Sequence, residues 1–177
     1  MLYTFPKRHA GVAVLTAFVA IIAAVFASVG LAATTQSASG QGTLDNGTRT
    51  FSFSARTNAD GTVTGNAVLI NHNFTGENGQ SPYRLQIEIS CMNIVDDVAF
   101  FGGTVKSTND SSLVDAVYFA VKDNGEPGAG VDQISRVAFF DADPNTTGDP
   151  QLCQFNTPTD GYLPLETIER GNIQVRA

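Results

Sequence analysis

Two acidic loops hold the residues best suited to chemistry. DNGEPGAGVD places Asp123, Asn124, Glu126 and Asp132 among glycines and a proline, and DADPNTTGD does the same for Asp141, Asp143, Asn145 and Asp149. Calcium takes about six to eight hard oxygen ligands, and Gly-rich turns let backbone carbonyls converge with carboxylates. The candidate ligand set is therefore Asp123, Asn124, Glu126, Asp132, Asp141, Asp143 and Asn145. The second loop opens like an EF-hand, D-x-D-x-N, and then departs from it. Gly148 stands at the eighth loop position and Leu152 at the twelfth, where that motif needs Gly at the sixth and Glu at the twelfth. The plainer reading is conformational: Asp-Asn-Gly and Asp-Pro-Asn form turns by themselves, and Asp or Asn side chains can satisfy backbone N–H groups without a cation. Turns are thus expected first and a calcium loop second, with no other cofactor.

No catalytic residue stands out. His72, in INHNF, is the only histidine beyond the first ten residues, and no G-x-S-x-G elbow occurs, so a Ser-His-acid site lacks its parts. A glycosidase needs two carboxyl groups at a set separation. Adjacent Asp96 and Asp97 read instead as a turn between strands, and there is no tryptophan to stack on a sugar. N-x-S/T sequons at Asn46, Asn73, Asn109 and Asn145 mark surface loops at best in a chain so rich in Asn, Ser and Thr.

The start of the chain says where it goes. Lys7 and Arg8 precede GVAVLTAFVAIIAAVFASVGL, an uncharged run from Gly11 to Leu31. A basic flank before an apolar run is an export signal. Small residues at Gly30, Ala32 and Ala33 suit a cleavage site, while the length of the run also suits a retained anchor. Residues 1–33 are read as a signal peptide or N-terminal membrane anchor, and either sends the remainder to a secreted or cell-surface location. Beyond residue 33 there are eight basic and seventeen acidic residues, a formal charge of −9. Such a surface repels nucleic acid and anionic lipid, so the only membrane contact expected is through an uncleaved leader. Cys91 and Cys153 are the only cysteines. In an oxidising compartment they read as a disulfide worth about 4 kcal/mol.

The elements that must position these groups read as strands. TTQSASGQGT, residues 34–43, has no apolar period and is read as a flexible linker. Residues 44–177 then form one domain. TFSFSAR alternates, with Phe51, Phe53 and Ala55 on one face, and NADG turns the chain into TVTGNAVLIN. In YRLQIEISCMNI, Leu85, Ile87, Ile89 and Cys91 share a face. VAFFGGTV is apolar on both faces and suits a central strand, with Gly102-Gly103 as its bend. LVDAVYFAVK and ISRVAFF flank the first acidic loop, and GNIQVR closes the chain. The expectation is an all-β antiparallel meander of about eight strands, a β-barrel or a β-sandwich.

The strings GTVTGN, EISCMNIV, FGGTV and VKDNGEPG, with Asp132, Cys153 and the terminal GNIQV, resemble a β domain of bacterial exported proteins that follows the choice-of-anchor module. The resemblance spans residues 42–176. It implies an all-β fold, export and a Cys91–Cys153 pair, and no activity. Function is expected to be that of a non-enzymatic extracellular binding, adhesion or envelope-structure module with an unknown ligand. The alternative is a secreted carboxylate-dependent hydrolase or carbohydrate-active enzyme. Self-assembly, with residues 34–43 donating a strand to a neighbour, is a third expectation.

Overall fold

A computed structural model describes residues 35–75, 81–110, 113, 115–139, 148–158 and 161–177. The leader expected at residues 1–33, and Asp141, Asp143 and Asn145 of the second acidic loop, lie outside the described residues.

The alternating segments become strands because one set of side chains in each can be buried while the other stays wet. They are β1 (Ser37–Leu44), β2 (Arg49–Thr57), β3 (Val63–Asn71), β4 (Tyr83–Val95), β5 (Val98–Thr108), β6 (Ala116–Lys122), β7 (Gln133–Ser135), β8 (Ala138–Phe139), β9 (Leu165–Thr167) and β10 (Arg170–Arg176). All pairings are antiparallel, and one sheet runs β10-β1-β2-β3-β4-β5-β6-β7-β9, with β8 beside β6. The sheet curls into a half-barrel, and the described residues hold no second sheet of a sandwich. From β2 to β7 it is the meander expected. The departure is at the end: β9 lies on one edge, β10 on the other, and only Ile168 and Glu169 separate them in sequence.

Residues 37–43 are not a linker. They belong to β1, paired on one side with β2 and on the other with β10. The apolar period is missing because glycine occupies two of the inward positions, between buried Ala38 and Leu44. Gly40 and Gly42 face Phe53 and Phe51 across the β1–β2 ladder, and a Cβ on either glycine would run into the opposite aromatic ring. The two Phe rings thus fill the space that β1 leaves empty. Both edges of β1 are engaged inside the chain.

The concave face holds the main core: Leu85, Ile87, Ile89, Val117, Ile134 and Ile173 gather around Phe53, Phe101 and Phe119. Phe101 stacks on Phe119 at 4.7 Å between centroids, and Phe53 meets both rings at 5.3 and 6.0 Å. Strands β5 and β6 are buried on their other face too, as the run VAFFGG led one to expect. There a 3-10 helix, Pro150–Phe155, lies across β4 and β5. Gly102 makes the approach available, since a Cβ there would collide with the Pro150 carbonyl.

Cys91 is bonded to Cys153 of that helix. It does not share the face of Leu85, Ile87 and Ile89. The register shifts between Ile89 and Cys91, opposite Gly103 and Gly102, so Ser90 is an extra residue and the alternation changes phase. Met92 then points into the main core, while Cys91 packs with Ala116, Tyr118 and Cys153 beneath the helix.

Candidate functional site

The first acidic loop joins β6 to β7, and its carboxylates turn onto the free edge of β10. In an antiparallel ladder alternate N–H groups point away from the partner strand. Two of those on β10 are taken by aspartates: Ile173 donates to Asp132 Oδ2 at 2.8 Å and Val175 to Asp123 Oδ2 at 3.0 Å. The remaining oxygens accept from the loop itself, Asp132 Oδ1 from the Asn124 N–H and Asp123 Oδ1 from the Gly125 N–H. Glu126 Oε1 accepts from the Asn172 side-chain amide, whose own oxygen accepts from the Gly128 N–H. Asp132 is fully buried, and its backbone joins in as well, donating to the Gly128 carbonyl and accepting from the Ile168 N–H. Gly125 and Gly130, at φ +92° and +83°, provide the left-handed bends that fold the loop back on itself.

The loop is therefore a latch across the two edges of the curled sheet. Asp123, Asn124, Glu126 and Asp132 come together: the two aspartates accept from main-chain N–H groups, the Asn124 side chain donates to the Val131 carbonyl, and Glu126 accepts from the Asn172 side-chain amide. No group of three or more His, Cys, Asp or Glu side chains that could hold a metal ion occurs among the described residues. In the second loop, Asp149 Oδ1 accepts from the Gln151 N–H and so caps the 3-10 helix. His72 sits exposed just beyond β3, and Asp96-Asp97 form the two-residue turn between β4 and β5.

A concave site missed in the sequence lies at one end of the half-barrel. It encloses about 490 Å³ where β1 ends, β2 begins, β3 ends and β4 begins. Leu44, Phe51, Leu69, Tyr83, Ile134 and Phe139 form much of its wall. Burial, with Asp110 nearby as a second cause, holds the Tyr83 hydroxyl above the ordinary tyrosine range, so it stays protonated. Arg49, Asp45 and Arg136 stand at the rim. Arg49 pairs with Asp45 at 3.3 Å and with Glu166 of β9 at 2.5 Å, and Arg136 reaches the other Glu166 oxygen at 2.8 Å. No motif could have announced this mouth, because its parts are strand ends spread from Leu44 to Phe139.

Glu166 reports on that network. Burial alone would raise its pKa, but hydrogen bonds from Arg136 and Arg49, and their charges, outweigh it and hold the carboxyl below the usual range. A carboxyl with a lowered folded-state pKa stabilises the fold above its unfolded pKa and loses that contribution as pH falls through the lowered value. Glu166→Gln is thus expected to cost about 1 kcal/mol at neutral pH, a modest figure because solvent screens the rim. In urea titrations at stepped pH, the gap between wild type and variant should close on the acid side. A gap that stays constant would mean that Glu166 acts by shape alone.

These features define the class: an all-β, disulfide-bridged half-barrel with a side-chain latch at its edges and an open apolar mouth. No protein-family model, curated protein or solved structure matches the chain.

Proposed function

We propose that this chain is an exported, non-enzymatic β module that acts by binding outside the cytoplasm. The observation that carries the reading is the mouth, a concave apolar space of about 490 Å³ whose charged groups are already matched to one another. The ends of β-barrels are a common place for ligand sites of this size. The basic-then-apolar leader and the Cys91–Cys153 bond suit an oxidising, extracytoplasmic setting. So does the resemblance to exported β domains.

The alternative, a carboxylate-dependent hydrolase, needs one protonated and one ionised carboxyl beside the substrate. Glu166 is the carboxyl that Arg136 and Arg49 hold below its usual range, so it stays ionised at neutral pH and is not the proton donor such a site needs. A panel of glycosidase and esterase substrates, run with the purified, oxidised protein, is expected to give turnover no higher than buffer. Turnover that disappears in Asp45→Asn or Glu166→Gln would replace the binding reading with the enzymatic one.

A further inference from the structure

We propose that the mouth receives an uncharged, apolar small molecule, and that its rim is built to exclude charged ones. The inference rests on the binding reading above and adds the chemical class of the ligand.

The first support is the wall. Leu44, Phe51, Leu69, Ile134 and Phe139 present hydrocarbon, and Phe51 continues into the core through Phe53, 6.3 Å away between ring centroids. Phe74, exposed at the lip, stands edge-on to Tyr83 at 5.1 Å. A space of about 490 Å³ falls within the range that encloses a drug-sized molecule.

The second support is the state of the polar groups in that wall. Arg49 is held by Asp45 and Glu166, and Arg136 Nε by Glu166, so two cations face two anions. Ser135 Oγ donates to the Arg136 carbonyl and accepts from the Ala120 N–H. Asn71 Oδ1 accepts from the Asn73 N–H. A charged ligand would have to break one of these pairs and leave a partner without its counter-charge, which is costly in a partly desolvated site. An uncharged apolar ligand displaces only water from hydrocarbon, the favourable exchange.

The probes are two dyes whose fluorescence rises in apolar surroundings: uncharged Nile red and anionic 1-anilinonaphthalene-8-sulfonate, titrated into the oxidised full chain. Nile red is expected to saturate at one per chain, about tenfold or more tighter than the sulfonate. Leu69→Trp, which fills the mouth, should weaken Nile red about tenfold or more with the melting temperature little changed. Val137→Trp serves the same purpose from another wall should the first variant not fold. Phe155→Ser, at the exposed end of the 3-10 helix and outside the mouth, should leave binding as it was. No saturable binding, equal affinity for both dyes, indifference to both Trp variants, or loss in Phe155→Ser would each overturn the proposal. Turnover in the substrate panel would fell the binding reading itself, whatever the dyes do, so the two failures are separable.

Discussion

Asp132→Asn is expected to destabilise the protein by about 2–4 kcal/mol, although it removes no volume and one charge. For a domain of this size that lowers the melting temperature by roughly 10 °C. The reason is the count of acceptors. The Asp132 carboxylate receives one backbone N–H on each oxygen, from Asn124 and from Ile173. An amide keeps one acceptor and turns an NH2 group towards the other N–H. Two donors then face each other at a residue that is fully buried, where no water can mediate. Asp123→Asn breaks a similar pair of bonds at a half-buried position, where water can take over, so about 1 kcal/mol is expected there.

Urea titration gives the size of the effect, and amide hydrogen exchange gives its place. In Asp132→Asn the Ile173 and Val175 N–H groups should exchange faster than those in the middle of β2, because the edge of β10 loses its cover before the core opens. The cause is that β10 is an edge strand, and an uncovered edge is both frayed and open to pairing with another chain. If Asp132→Asn melts with the wild type, the latch contributes nothing and this account of the loop is wrong. The same bonds bear on calcium. With all four oxygens of Asp123 and Asp132 occupied by N–H groups, melts in EDTA and in millimolar Ca²⁺ are expected to superimpose. A rise of several degrees with Ca²⁺ would show a native-state cation and would favour the calcium loop.

The loop shows where sequence reasoning reaches and where it stops. That DNGEPGAGVD would turn, and that its Asp and Asn could serve backbone N–H groups, follows from residue type alone. Which N–H groups they serve does not, since Ile173 and Val175 lie more than forty residues further on. Strands β2 and β4 were legible because Phe51-Phe53-Ala55 and Leu85-Ile87-Ile89 alternate with polar residues, and the alternation is the burial pattern. Strand β1 was not, because at Gly40 and Gly42 the inward space is filled by its neighbour's phenylalanines. Cys91 could be paired correctly with Cys153, yet its face was misread, because one bulged residue leaves no mark in an alternating string. The mouth was invisible for a different reason. Arg49 and Glu166 are more than a hundred positions apart, and only the curl of the sheet makes them neighbours.

Removing the disulfide, as Cys91→Ala with Cys153→Ala, is the other change of large effect, and it should act differently from Asp132→Asn. The bond closes a separation of 62 residues. On the chain-entropy model, freeing a loop of that length stabilises the unfolded state by about 4 kcal/mol. The folded state gives up less. The cystine lies beneath the 3-10 helix, outside the Phe53–Phe101–Phe119 cluster, so near-ultraviolet circular dichroism of the core should persist. The helix itself keeps other ties. The Tyr118 hydroxyl donates to the Asp149 carbonyl, Gln151 Nε2 to the Ser90 carbonyl at 3.1 Å, and Asn93 Nδ2 to the Gln154 and Asn156 carbonyls. These reach polar groups near the surface and compete with water, so each is worth about 1 kcal/mol or less. The double variant should therefore unfold at lower urea with a steeper dependence, because its unfolded chain is less compact. Limited proteolysis should cut it near Leu152 and Phe155, both exposed, before the sheet opens. Equal stability of the variant and the oxidised parent, with two free thiols in natively isolated protein, would remove the disulfide from the structure's account.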